Sequence, residues 1–402
     1  MPLQRLLLCK NGAEICALAI LFVTLLPYAK STVMKYKLLL FFAIIGIMLP
    51  NEAFADIKRI GQLYYNLSKG TAKVVKGRPR QYAGAIDIPS AVTYRNTSYR
   101  VTSIANDAFS YCTSLTSVTL PESVRSIGSH AFYGCRGLAT VTLGSGIKSI
   151  GGHAFDGCTS LAAVTLPEGV RSIDNGVFSR CTALRTVTLP ESLRSIGDYA
   201  FYDCAALRSV ALPDGLRSIG AFAFDSCTGL TSVTFGEDLR SIGAFAFYGC
   251  TSLAAIAIPD GVTSIGAFAF DSCAGLMSVT IGDGVTSIGE SVFSYCTSLV
   301  SVTLGASLRS IGDYAFYDCI GLASVTLPES VRSIGAFAFH NCPNLADVAN
   351  WAAEPQSLPV STFSRHGTLH VRHGHREVYE ADDVWRKFYI KEDGAPTRVL
   401  AD

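Results

Sequence analysis

The chain has 402 residues, with 33 Lys or Arg against 32 Asp or Glu, so its formal net charge is +1. The first 55 residues hold five basic and two acidic residues, which leaves 28 basic and 30 acidic residues and a net charge of −2 in the remainder. This balance excludes a protein whose main partner is nucleic acid, because such proteins carry a strongly basic surface.

Residues 34–55 have the three parts of a secretory signal peptide. Lys35 and Lys37 supply a positively charged start, and residues 38–49 form an apolar run. This run is too short to span a bilayer comfortably. The triplet at residues 53–55, Ala-Phe-Ala, has the small residues of a cleavage site.

We therefore expect translation to begin at Met34 and residues 1–33 to be an upstream extension that is not part of the natural product. The exported chain then begins at Asp56 and contains no membrane span. The alternative is that residues 15–26 form a second apolar segment of a two-helix membrane anchor.

Eleven of the 13 cysteines recur at a constant spacing of 23 residues, and no insertion or deletion interrupts them. They are Cys112, Cys135, Cys158, Cys181, Cys204, Cys227, Cys250, Cys273, Cys296, Cys319 and Cys342. A phenylalanine stands three residues before each of these cysteines, from Phe109 to Phe339. A fixed period of this length indicates a solenoid in which each repeat is one structural unit.

One repeat, "CTSLTSVTLPESVRSIGSHAFYG", can be read as a single coil. Leu115, Val118 and Leu120 alternate with polar residues, which predicts a short strand with one buried face. Pro121 cannot donate to a strand ladder and ends that strand. A second extended stretch reaches Ile127, and the apolar spacing after it predicts a short helical turn.

One coil cannot bury its own apolar side, so the coils must stack, with neighbouring strands about 4.8 Å apart. The sequence thus predicts an α/β repeat solenoid of about eleven coils over residues 101–346. Each coil comprises a short strand, a second extended stretch and a short helical turn.

The recurring cysteines are expected to be buried, reduced thiols. Their number within the exported part is odd, so they cannot all pair in disulfides. They share a fixed position beside a buried phenylalanine, which suits a small apolar side chain. A structural zinc site needs clustered pairs such as C-x-x-C, and the sequence has none. We predict no metal site and no cofactor.

The pattern L-x-x-V-x-L-P-x-x-V-x-x-I-G-x-x-A-F-x-x-C resembles the BspA-type leucine-rich repeat family over residues 101–348. Residues 56–100 look like the N-terminal cap of these proteins, and residues 347–402 resemble their closing strand and helix. The usual tail has a small or proline-rich turn where this chain has Arg372, His373 and His375. The resemblance implies an exported or surface-displayed binding protein, and several family members are adhesins.

Two columns of small residues lie on the outward side of the predicted first strands. The second of these columns, which we call the threonine column, includes Thr188, Thr234, Thr280 and Thr303. No histidine or lysine lies beside these hydroxyls to activate them, so no nucleophilic site is expected. The column is either an ordinary exposed β surface or a face that binds glycans or extended polypeptides through many weak contacts.

A stripe of aromatic residues stands five residues before successive cysteines. It includes Tyr199, Phe222, Phe245 and Phe268. We expect these side chains to be at least half exposed, because adjacent residues on a turn cannot all face inward. They are either an apolar docking stripe or a ladder that packs on itself to cover the turns.

An acidic stretch accompanies the stripe in sequence. Most coils carry an acidic residue and, three residues later, a basic one. In two adjacent coils threonine replaces the basic residue, whereas the acidic residues, Asp260 and Asp283, remain. We assign the partner-binding site to these two aspartates and the aromatic stripe, with the threonine column as the alternative.

The function predicted from the sequence is non-catalytic recognition outside the cell, or at its surface, of an extracellular protein or glycan. Adhesion is the form that the resemblance implies. A spacer without a specific ligand is the alternative. An enzyme or a glycan-processing accessory is more remote, because every coil is regular and none carries unlike polar groups. No catalytic residue is predicted.

Overall fold

A computed structural model of the protein describes residues 57–77 and 82–393. The predicted upstream extension, signal peptide and cleavage site lie outside the described residues. The described chain is a repeat solenoid with about 13 turns of about 23 residues. The stack exceeds the eleven predicted coils because strands of both terminal regions extend it.

The N-terminal region forms six strands before the first complete coil. They are β1 (Ile57–Ile60), β2 (Leu63–Ser68), β3 (Thr71–Val75), β4 (Gly84–Asp87), β5 (Ala91–Tyr94) and β6 (Thr97–Ile104). β1, β2 and β3 are antiparallel neighbours, and β5 pairs antiparallel with β6. β3 pairs in parallel with β6, and β4 pairs in parallel with the first strand of the first coil. The terminal sheets therefore continue into the solenoid.

Each coil then contributes a first strand of three to five residues and a second strand of two residues. These strands are β7 (Leu115–Thr119), β8 (Ser126–Ile127), β9 (Thr140–Thr142), β10 (Ser149–Ile150), β11 (Ala163–Thr165), β12 (Ser172–Ile173), β13 (Thr186–Thr188), β14 (Ser195–Ile196), β15 (Ser209–Ala211), β16 (Ser218–Ile219), β17 (Ser232–Thr234), β18 (Ser241–Ile242), β19 (Ala255–Ile258), β20 (Ser264–Ile265), β21 (Ser278–Ile281), β22 (Ser287–Ile288), β23 (Ser301–Thr303), β24 (Ser310–Ile311), β25 (Ser324–Leu327) and β26 (Ser333–Ile334).

The C-terminal region adds three strands and two short helices. They are β27 (Asp347–Asn350), β28 (Thr368–Arg372), the helix α1 (Arg376–Glu380), a 3₁₀ helix (Trp385–Lys387) and β29 (Tyr389–Asp393). β27, β28 and β29 prolong the stack of first strands in parallel register. Among the described residues, no helix has the length and apolar character needed to cross a membrane. The boundaries of the two caps at residues 100 and 346 stay predictions.

Equivalent strands of successive coils pair in parallel, with identical positions opposite each other. Ser126 pairs with Ser149, and Val118 pairs with Val141. The first strands form four hydrogen-bonded groups rather than one continuous sheet: β13-β11-β9-β7-β4, β15-β17, β19-β21-β23 and β25-β27-β28-β29. The second strands pair across each of these breaks, as β14 does with β16 and β18 with β20, so neighbouring coils stay linked.

The predicted helical turn is wrong, and with it the α/β class, because the described coils contain almost only strands and turns. The segment before each cysteine has two residues in the left-handed region, such as Phe222 with φ 57° and Ser226 with φ 59°. An α-helix needs consecutive right-handed residues. The N–H groups of Phe222, Phe224 and Ser226 instead donate to carbonyls of the next coil at 2.8–3.0 Å. Those of Asp225 and Cys227 close reverse turns within the coil.

A stack of buried phenylalanine rings runs through the core. Each ring, from Phe109 to Phe339, is at most 1% exposed. Neighbouring rings lie 4.9–5.6 Å apart between centroids, with planes within 16° of parallel. Stacked aromatic pairs stabilise beyond the area they bury.

The cysteines lie beside this ladder, and their predicted burial is confirmed. Each thiol from Cys135 onward donates to the carbonyl oxygen of a phenylalanine in a neighbouring coil, as Cys250 does to Phe224 at 3.2 Å. Burial raises the pKa of the Cys135 thiol to about 12. Since the thiolate is the reactive form, these thiols are unreactive in the folded protein.

Candidate protein-binding surfaces

The predicted aromatic stripe is a second stacked ladder, outside the core. Tyr199, Phe222, Phe245 and Phe268 stack with centroids 4.7 Å apart and planes within 4° of parallel. Tyr199 is 42% exposed, whereas the three phenylalanines are half-buried. They are less exposed than the sequence predicted, because each ring covers the faces of its neighbours. Phe222 and Phe245 have a neighbouring ring on each face.

The backbone of the stripe adopts an unusual conformation. Tyr199 and the three phenylalanines have φ between 57° and 60°, the left-handed region that costs a residue with a side chain about 1–2 kcal/mol. The stacked rings and the hydrogen bonds between coils offset this cost. The stripe therefore has a role in covering the turns, whatever else it does.

The structure separates the two aspartates from the stripe. Asp260 and Asp283 are exposed and lie in the turn before the second strand, whereas the aromatic residues follow that strand. Each carboxylate accepts a backbone N–H of the next coil: Asp260 accepts that of Asp283 at 2.9 Å, and Asp283 accepts that of Ala306 at 2.6 Å. No hydrogen bond among the described residues joins them to the stripe. The two parts of the predicted site therefore do not form one polar and aromatic cluster.

The threonine column forms an open surface on the first strands, which we call the strand face. Thr188, Thr234, Thr280 and Thr303 are all exposed, and the apolar residues between them point to the interior. A cleft of about 490 Å³ lies where β13 and β15 are not hydrogen-bonded, and its walls include Thr188. The strand face is accessible along its length.

Two exposed apolar side chains at the edge of the strand face were not predicted from the sequence. Met277 is 55% exposed and Val300 is 53% exposed. Both stand four residues after a cysteine, a position that other coils fill with Thr, Ala or Arg. The signal was present in that column: two large apolar residues on adjacent coils interrupt a row of small or polar ones.

A polar cluster occupies the turns of the early coils. The Asp156 carboxylate is almost fully buried, and it accepts two hydrogen bonds from the Arg180 guanidinium at 2.9 Å. His153 Nδ1 lies 3.0 Å from the same carboxylate, and the His130 ring stacks on His153 with centroids 5.2 Å apart. Parallel stacked imidazoles do not aim their lone pairs at one point. In the described part of the chain, no group of three or more His, Cys, Asp or Glu is arranged to hold a metal ion.

One histidine links the last three strands of the stack. His370 on β28 lies between two carboxylates, with Nε2 3.1 Å from Asp347 on β27 and Nδ1 against Asp393 on β29. A carboxylate only accepts hydrogen bonds, so both ring nitrogens must carry protons to satisfy this arrangement. The hydrogen bond to Asp393 is the main cause that raises the pKa of His370 above its ordinary value, and that to Asp347 adds to it.

Comparison with known proteins identifies the repeat. The family described as the BspA-type leucine-rich repeat region matches residues 102–231, 194–306, 217–346 and 286–370. No curated protein matches the chain significantly.

Several solved structures are similar to the chain. A leucine-rich repeat protein from Bacteroides ovatus is 28% identical, with 77% of this chain and all of that chain covered and a TM-score of 0.49. A leucine-rich cell surface protein from Faecalibacterium prausnitzii is also 28% identical, with 85% and 95% covered and a TM-score of 0.47. The pneumococcal vaccine antigen PcpA is 18% identical, with 85% and 99% covered and a TM-score of 0.52, and it shares the fold. Since the family match extends over more than half of the sequence, the chain belongs to the BspA-type leucine-rich repeat family.

Proposed function

We propose that the protein is an exported, non-catalytic adhesin that captures a protein partner outside the cell through the strand face of its solenoid. Membership of a family of repeat scaffolds supports a binding role. The observation that carries the choice of surface is the exposure of Met277 and Val300, two large apolar side chains that the core does not use. Contiguous exposed apolar surface is characteristic of interaction sites, and these two side chains are its core here.

The neighbourhood of these two residues suits a protein interface. The Val300 N–H donates to the Met277 carbonyl at 2.9 Å, so the two side chains project from adjacent coils. The exposed hydroxyls of Thr280 and Thr303 lie three residues further along the same coils, on β21 and β23. An apolar centre with a polar rim is the usual anatomy of a protein–protein interface.

The aromatic stripe is the second candidate surface. Phe222, Phe245 and Phe268 present three ring edges in a row, and aromatic anchors often carry much of the binding energy. Their faces already contact one another, so a partner gains less new apolar contact there than from Met277 and Val300. Asp260 and Asp283 would contribute to this docking from a separate turn.

Partner capture can be tested with defined proteins. The purified protein is probed against arrays of extracellular matrix proteins and glycans, and each captured partner is then measured with two variants. Met277→Ser combined with Val300→Ser should weaken capture at least tenfold. The control, Ala254→Ser combined with Ala323→Ser, alters the same column on flanking coils and should leave capture unchanged.

The same assay separates the competing surfaces and functions. A further variant combines Phe222→Ser, Phe245→Ser and Phe268→Ser. If only this variant loses capture and its circular dichroism is unchanged, the partner binds the stripe. If the protein retains glycans but no proteins, and Thr280→Val combined with Thr303→Val weakens that retention, the threonine column binds glycans. Failure to retain any probe would favour a spacer without a ligand.

Export is part of the proposal and rests on residues 34–55. N-terminal sequencing of the protein recovered from the medium or the cell surface should find Asp56 as the first residue. A product that still contains residues 15–26 would instead support a membrane anchor.

A further inference from the structure

The charge of the protein is unevenly distributed along the chain. Residues 57–100 contain nine Lys or Arg and one acidic residue, Asp87, a net charge of +8. Residues 101–402 contain 19 basic and 28 acidic residues, a net charge of −9. The almost neutral total conceals a basic N-terminal cap on an acidic solenoid. Such a separation of charge directs an anionic partner to one end of the molecule.

The structure places three of the basic side chains on one surface of the cap. Leu63, Tyr65, Ala72 and Val74 face the core, so the alternate residues of β2 and β3 face outward. The outward residues and the basic residues opposite them in register are Tyr64 with Arg59, Asn66 with Lys73, and Thr71 with Arg100. All three basic residues are exposed. We call this surface the basic face.

The three positions form a diagonal line across the basic face. With strands about 4.8 Å apart and about 3.3 Å per residue, Arg59 and Lys73 are about 12 Å apart, and Lys73 and Arg100 about 8 Å apart. The line crosses β1, β3 and β6 in one direction and is about 20 Å long. This spacing suits a linear chain with a negative charge on successive repeating units.

These charges are free to act on a partner. Arg59 Nε donates to the Gly61 carbonyl at 3.3 Å, and its guanidinium lies 6.0 Å from the centre of the Tyr64 ring. Within residues 57–77 and 82–393, Lys73 and Arg100 have no ion pair or side-chain hydrogen bond. Arg180 on the solenoid, in contrast, is neutralised by the buried Asp156.

The surroundings favour a hydrated polymer over a lipid bilayer. Arg100 lines an open cleft of about 640 Å³ whose walls include Ser90 and Ser98 and one carboxylate, that of Glu122. Asn66 and Thr71 add further hydrogen-bonding groups to the basic face. Membrane-surface binding combines basic residues with apolar side chains that enter the acyl boundary, and the described part of this face has one large exposed apolar residue, Ile57.

We propose that the basic face of the N-terminal cap binds a linear anionic polysaccharide through Arg59, Lys73 and Arg100. The acidic solenoid is repelled by the same polymer and projects away from it. The cap would then fix the protein to a charged extracellular matrix and leave the strand face free. This binding does not depend on capture of a protein partner.

The test uses the protein in the form that cells produce, with heparin as the probe and uncharged dextran as the ligand control. Arg59→Gln, Lys73→Gln and Arg100→Gln are combined in one variant. The matched control is Arg185→Gln, Arg208→Gln and Arg217→Gln, which removes three exposed charges from the solenoid. We expect the cap variant to bind heparin about 100-fold more weakly and the solenoid variant to change less than about threefold.

Each outcome bears on the proposal. A selective loss in the cap variant, with a shallower dependence of affinity on salt, supports it. An equal loss in both variants shows that affinity follows net charge and overturns it, as does absence of heparin binding by the unmodified protein. Tighter binding to vesicles containing phosphatidylglycerol than to heparin would replace the polysaccharide with a bilayer.

Discussion

The two aromatic ladders of the solenoid stack alike but differ in what they contribute. The inner ladder, represented by Phe224 and Phe247, has centroids 5.1 Å apart and is fully buried. The outer ladder, represented by Phe222 and Phe245, has centroids 4.7 Å apart and is half-buried in the left-handed region. The spacing of the coils imposes stacking on both. Stacking geometry therefore does not show which ladder contributes more to the stability of the fold. The degree of burial shows it.

The largest effect is expected from truncating the inner ladder. Phe247→Ala should lower the free energy of unfolding by about 3–5 kcal/mol, because it removes a fully buried ring and leaves a cavity. Denaturant unfolding followed by circular dichroism measures it. A change below about 1 kcal/mol would mean that the inner ladder does not carry the core.

A smaller effect is expected in the outer ladder, and glycine should separate its causes. Phe245→Ala should cost about 1–2 kcal/mol, since it removes a half-buried ring. Phe245→Gly should cost about 1 kcal/mol less than Phe245→Ala, because glycine adopts φ near 57° without the penalty of a Cβ. The same unfolding measurement applies. If alanine proved the better replacement, the turn would not be left-handed in solution.

The His370 contact at the end of the stack should depend on pH. Its raised pKa means that its stabilisation is fully present below the ordinary value near 6.5 and is lost as pH rises through the higher folded value. Compared with His370→Gln, the protein should gain up to about 1 kcal/mol at pH 6 and little at pH 9. Both tryptophans, Trp351 and Trp385, lie in the C-terminal region, so their fluorescence reports its unfolding. A difference that grows with pH would contradict a charged imidazole.

The smallest effect is expected on the strand face. Thr234→Ala should change the free energy of unfolding by less than about 0.5 kcal/mol, because the side chain is exposed and packs on nothing in the core. This variant is also the control for Phe247→Ala in the same coil. A cost similar to that of a core substitution would reverse the assignment of the inward and outward sides.

The inward side of the coils could be predicted from the sequence because a 23-residue period superimposes chemically identical positions. Phe247 and Cys250 recur where only an interior position would accept them in every coil, and both are buried. The conformation of the turns could not be predicted in this way. Apolar residues spaced as in a helix also suit linked reverse turns, and the aromatic side chains of Phe245 and Tyr199 do not by themselves signal a positive φ. Gly176, at the equivalent position one coil before Tyr199, has φ 64° and was the one signal of the left-handed turn in this column.

The candidate sites were predictable only in part. The exposure of Thr234 and Thr280 follows from strand alternation. The separation of Asp260 from Phe268 depends on the second strand between their turns, which spacing along the chain does not reveal. Met277 and Val300 could have been found by comparing columns for residues that break a pattern. The basic cap could have been found by counting charge segment by segment, because the total conceals it.

The uninterrupted period also has a consequence for how the gene can change. Each coil pairs with the next through equivalent positions, as Ser195 pairs with Ser218 and Ser218 with Ser241. Unequal recombination between similar repeats would add or remove 69 base pairs, the coding length of one 23-residue coil. The resulting protein would keep the backbone pairing between neighbouring coils and differ mainly in the distance between its two ends. The length of the solenoid could then vary among related proteins by gain or loss of whole coils, and the protein encoded at each step would still fold.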